Sequence, residues 1–136
     1  MNSKLINLLN RQFNREVNTL LRYLIEAASM QGPEDSVVRS LYLKEVGEKV
    51  DHAQSLADQI VALGGKPDLH PVPACPPVTV REMLMHDAAE EKTEEQNYLR
   101  LASEAEKEEL TELKRKLEAQ ADVEHQYRYE MECLLW

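Results

Sequence analysis

Glycine and proline are scarce in this chain of 136 residues, at 4 and 6, and most of them fall together between residues 64 and 77. The rest is almost free of helix breakers, a pattern that belongs to long helices. Cysteine is scarcer still: Cys75 and Cys133 are too few for a disulfide framework and form no CxxC metal pair. Positive charge is in deficit, with 16 Lys and Arg against 25 Asp and Glu and a net charge of −9. A nucleic-acid binder needs a basic surface to neutralise phosphate, so this balance argues against one; it suits the attraction of cations. No stretch approaches the ~20 apolar residues of a membrane span. The opening MNSKLINLLNRQFNRE has neither an uninterrupted apolar core nor a cleavage-like site, so no signal peptide is expected. These absences predict a soluble protein of the cytoplasm, with no membrane and no nucleic-acid partner, folded as one domain over residues 1–136.

What the chain does have is helical periodicity. At about 100° per residue, Leu5, Leu9, Phe13, Leu20, Tyr23 and Ala27 share one side of a helix from about Ser3 to Gln31, which Gly32-Pro33 stops. A second helix follows Pro33, with Glu34 and Asp35 at the positive end of its dipole. Its stripe of Val38, Leu41, Leu56 and Leu63 ends at Gly64-Gly65. The prolines of KPDLHPVPACPPV then hold the chain extended. Thr79 and Glu82 make a capping box for a third helix with Leu84, Ala88, Tyr98 and Ala102 inside. A fourth runs from about Glu106 to the terminus with Leu110, Leu113, Leu117, Ala121 and Leu135 inside. SEAEKEEL, between the last two, holds no breaker, so a single bent helix is the other reading there. Two tight turns and one long link predict an all-α four-helix bundle, two antiparallel hairpins joined by one long crossover.

Polar residues interrupt every stripe. Glu16 lies among Leu9, Leu20 and Tyr23, and Glu91 lies between Leu84 and Tyr98. In KEVGEKVDHAQSL, residues 44–56, His52 falls on the side of Leu41 and Leu56. Glu45 and Glu48 point roughly the same way, with Lys49 at the edge of that face. DVEH in the last helix puts Asp122 and His125 three apart, as neighbours on one side. Singly, each has an ordinary reading as a shoulder carboxylate reaching water or a hydrogen-bonded core histidine. One set per helix, near mid-length on each, points to a common site, because a buried carboxylate is costly unless paired or bound to metal. Carboxylate and imidazole together suit iron, manganese or zinc. Bundle cores with a Glu on each of two helices and Glu-x-x-His on the other two hold pairs of iron ions. His70, in the crossover, and His86, on the third helix, are expected at the surface.

INLLNRQFNREVNTLLRYLI, KVDHAQSLADQIVALGGKPDL and REMLMHDAAEE give the chain a resemblance to the bacterioferritin branch of the ferritin-like, di-iron carboxylate superfamily. By position, the resemblance makes Glu16 the first-helix ligand and Tyr23 a nearby hydrogen-bond or redox partner. It makes His52 the second-helix histidine, Glu91 the bridging carboxylate of the third helix and His125 the histidine of the fourth. Lys49 stands where a bridging Glu is usual, and Asp122 where the fourth-helix Glu is usual. An ammonium cannot coordinate metal while protonated and repels nearby cations. Three arrangements answer the lysine: an internal ion pair with Glu16, Glu91 or Asp122; entry of Glu48 or Glu45 as ligand while Lys49 snorkels outward; or a single metal on Glu91, Asp122 and His125.

The resemblance implies an iron-binding protein that oxidises ferrous iron with oxygen or peroxide, for storage or detoxification, at an altered di-iron-type site. It would be a ferroxidase-type enzyme if active, with Glu16, His52, Glu48, Glu91, Asp122 and His125 as the candidate ligands. The alternative is a non-catalytic ferritin-like oligomer whose site is an internal ion pair or a single metal. Val50 replaces the methionine that holds haem in this branch, so no haem is expected. The short fifth helix of the hollow shells is not present before Trp136, which leaves a homodimer or larger homo-oligomer, with Val37, Leu43, Val46 and Val50 lining the family's side-by-side dimer.

Overall fold

The structure, a computed structural model, describes residues 2–72 and 77–135. Cys75 and Trp136 lie outside the described residues. Four helices and no strand occur among those described: α1 Ser3–Ser29, α2 Ser36–Ala62, α3 Val80–Lys107 and α4 Thr111–Leu134, with a short 3-10 turn Pro33–Asp35 ahead of α2. No described helix is long and apolar enough to cross a membrane. The chain divides into two compact units, Leu9–Val80 and Met1–Leu8 with Arg81–Trp136.

Each helix buries a row that advances in steps of mostly three and four residues. On α1 the row is Leu5, Leu9, Gln12, Glu16, Thr19, Tyr23 and Glu26, with Met30 buried just past its end. On α2 it is Val38, Tyr42, Glu45, Lys49, His52, Leu56 and Ile60; on α3 it is Leu84, Asp87, Glu91, Glu94, Tyr98, Leu101 and Ala105. On α4, Leu113, Leu117, Ala121, Glu124, Tyr127 and Met131 are buried. Spacing near 3.5 residues keeps one side of a helix inward over many turns, as in helical bundles. The rows share a second property: apolar at both ends, polar in the middle.

In the Leu9–Val80 unit, α1 and α2 are antiparallel. Ala27 meets Arg39, Tyr23 meets Tyr42, and Glu16 meets Lys49 and His52, so numbers fall along α1 as they rise along α2. The Arg39 guanidinium donates to the Ala27 carbonyl at 2.6 Å, satisfying one of the last acceptors of α1. The end of α2 is a Schellman-type cap. Gly64 takes φ +86° and the Gly65 amide donates to the Ile60 carbonyl at 2.9 Å. Residues 66–72 of the crossover then run extended alongside α1 in the same direction, their backbone bonded to the side chains of Asn10, Asn14 and Asn18.

In the other unit, α3 and α4 are antiparallel, with Arg81 donating to the Leu135 carbonyl and Glu95 meeting His125 and Arg128. The break between them is real, but it lies at residues 108–110, so α3 is longer than the sequence suggested and α4 begins at Thr111. Its geometry is again Schellman-like: Glu109 takes φ +61° and the Leu110 amide donates to the Ala105 carbonyl at 3.0 Å. A glutamate occupies the left-handed position that glycine usually fills. At the surface of this unit, Lys107 and Lys4 flank Glu104; the Lys107 hydrogen bond, above all, holds the Glu104 carboxyl below its ordinary 4.5.

A candidate metal-binding group beside a buried lysine

In the Leu9–Val80 unit the polar middles of α1 and α2 meet. Glu16, Lys49 and His52 are all buried, Glu16 and Lys49 almost completely. One Glu16 oxygen, Oε1, accepts from Gln12 Nε2 at 3.4 Å. The other, Oε2, faces two nitrogens at 3.7 Å, Lys49 Nζ and His52 Nδ1. These are ion-pair distances, longer than hydrogen bonds. Two donors on one ion at bonds of about 2.1 Å stand roughly 3–3.5 Å apart, and Glu16 Oε2 and His52 Nδ1, at 3.7 Å, are close to that spacing.

Lys49 works against a cation at this place. Lys49 does not snorkel; it stays fully inside, 6.0 Å from the Tyr23 ring centre, over a face that attracts cations. Tyr23 itself packs on Tyr42 at 4.9 Å and under the Arg22 guanidinium at 5.5 Å, and Arg22 pairs with Glu26 at 3.1 Å. Glu45, one turn before Lys49, is also fully buried, while Glu48 is half-buried. At about 4 kcal/mol per pair of unit charges 4 Å apart, a divalent ion beside an ammonium is disfavoured by roughly twice that. Lys49 Nζ is 3.7 Å from the same Glu16 oxygen that faces His52, so this repulsion acts on any cation that Glu16 would ligate.

In the other unit α3 buries the acid expected inside, and α4 leaves outside the two residues expected there. Glu91 is buried as expected, with Asp87 and Glu94 on the same face. Asp122 and His125, expected inside, are exposed; the acid that α4 buries is Glu124. The cause is rotational: Ala121 belongs to the buried row, Asp122 is about 100° past it, and Glu124 returns to the row three residues on. His125 instead joins a surface cluster. Its Nδ1 accepts from Arg128 at 2.9 Å, and Arg128 also meets Glu95 at 3.4 Å. Glu124 lies three residues beyond Ala121, in step with Leu113 and Leu117. His70 is exposed and His86 half-buried, without a place in either buried row.

Four all-helical rods with acids and imidazole in their buried rows define a ferritin-like four-helix bundle, and the comparisons agree. The chain belongs to the ferritin-like domain family, which matches residues 6–136. A ferritin-like, diiron-carboxylate protein from Bacillus anthracis is 29% identical, with a TM-score of 0.93 over 98% of this chain and 96% of that one. The bacterioferritin of Desulfovibrio desulfuricans, a protein with a diiron site, has a TM-score of 0.91 at 18% identity over 98% of this chain and 78% of that one. An open-pore ferritin from Archaeoglobus fulgidus has a TM-score of 0.81 at 19% identity over 97% of this chain and 83% of that one. Among curated proteins none matches.

Proposed function

We propose that this chain is an iron-binding ferritin-like protein that takes up ferrous iron as cargo, one ion per chain, on Glu16 and His52. The observation that carries the reading is the buried carboxylate and imidazole with ligand atoms within 4.8 Å of each other. Glu91 is proposed as a further oxygen donor, on the strength of its burial and of the third-helix place that the resemblance gives it. Glu124 is proposed in the place first given to His125, because it is the acid that α4 buries. Residues 1–136 are taken as one ferritin-like domain, since the family match runs through both units. Oxidation of the ion by oxygen or peroxide, with Tyr23 beside it, is the ferroxidase form of the proposal. Lys49 favours the second form, a bundle that binds one metal or none without turnover.

Titration with ferrous iron under argon, read by calorimetry and elemental analysis, tests both. Binding near one ion per chain, lost in Glu16→Gln and His52→Ala, supports the cargo reading; no bound iron removes it. Admitting air then separates the two forms. A fast ultraviolet absorbance rise, absent in Glu91→Ala, supports oxidation, and a flat trace supports the non-catalytic bundle. The chain is further proposed to pair with a second copy through the outer face of α2, where Val37, Leu43 and Val50 are exposed and Val46 is half-buried.

A further inference from the structure

Asn10, Asn14 and Asn18 stand four residues apart on α1, and therefore on one side of it. Each uses its carboxamide on the peptide groups of the crossover. Asn10 Nδ2 donates to the Lys66 carbonyl at 3.1 Å while its Oδ1 accepts the Asp68 amide at 2.8 Å. Asn14 Nδ2 donates to the Asp68 carbonyl at 2.7 Å and Oδ1 accepts the His70 amide. Asn18 Oδ1 accepts the Val72 amide at 2.7 Å. Asn14 is itself held, since its Nδ2 also donates to the Asn10 carbonyl at 2.9 Å. The spacing works because four residues of α-helix rise about 6.0 Å, close to the roughly 6.2–6.6 Å of two extended residues. The carboxamides act as the edge of a strand, offering donor and acceptor alternately.

Among the described residues of the crossover, 66–72, there are few other attachments. Lys66, Asp68, Leu69, His70, Pro71 and Val72 all expose their side chains. Its attachment is therefore to peptide groups and not to buried apolar surface, and segments with few buried contacts open before the rest of a fold does. We propose that residues 66–72 form a latch that opens and closes on this amide row as one unit, while α1 and α2 remain folded. Asn14 and Glu16 are two positions apart and point about 200° away from each other around α1. Opening the latch leaves the Glu16, Lys49 and His52 group in place, so the inference stands apart from iron binding.

Native-state hydrogen exchange on the full chain tests it, followed at the Asp68, His70 and Val72 amides. All three are expected to exchange more slowly than free peptide, with one common opening constant that low urea does not change. Interior amides of α1 and α2 are expected to exchange through an opening that grows with urea. Asn14→Ala should accelerate all three latch amides together, by about tenfold. Asn14→Asp keeps the acceptor for His70 and should accelerate them less. Acceleration confined to His70, exchange shared with the helix interiors, or exchange as fast as free peptide in the parent protein would each overturn the latch.

Discussion

Lys49 is the residue that most distinguishes this interior. A buried ammonium facing a buried carboxylate is tolerated as a pair and costly when halved. Lys49→Met is expected to lower unfolding stability by about 3 kcal/mol in urea titrations, and Glu16→Gln by a similar amount. The double variant should lose less than the sum by at least about 1 kcal/mol, and additive losses would show that the two charges do not depend on each other. Glu16, His52 and Glu91 were legible because each replaces an apolar residue within an otherwise regular stripe. Glu124 was less so, because the three-residue spacing within DVEH singles out Asp122 and His125 instead. The spacing was right for two neighbours, but that pair sits on the wrong side of the helix. Lys49 was placed at the edge of its face; only the geometry shows it drawn inward between Glu16 and Tyr23.

Among the elements, the legible boundaries are those with chemical markers. Gly32-Pro33 and Gly64-Gly65 end α1 and α2 where the sequence placed those ends, to within a few residues. The α3–α4 break carried no marker because a glutamate, Glu109, performs the left-handed turn. Left-handed backbone costs a residue with a Cβ about 1–2 kcal/mol, part of which glycine returns to the more flexible unfolded chain. Glu109→Gly is therefore expected to raise stability by about 0.5–1 kcal/mol, read as a higher thermal midpoint, and Glu109→Val to lower it. Equal midpoints for the two would mean that the turn does not demand this backbone.

At the scale of the whole molecule, the all-α ferritin-like fold was readable from breaker placement and stripe periodicity, because long rods and one long link leave few arrangements. Association was not readable, since exposed valines are common on surfaces. The proposed pairing through α2 predicts a solution mass near twice 15.6 kDa by light scattering. Val50→Asp should return it to the single-chain value, and a parent protein already at that value would remove the proposal. The amide row sets a further bound on the molecule's long link. Helix and extended chain advance by lengths that agree only to a few tenths of an ångström per step, like the two scales of a vernier. Over the two steps between three marks the offset reaches only about 0.4–1.2 Å, which three carboxamides can span. The next position in the series is Arg22, whose guanidinium pairs with Glu26, so on α1 the run of carboxamides stops at Asn18.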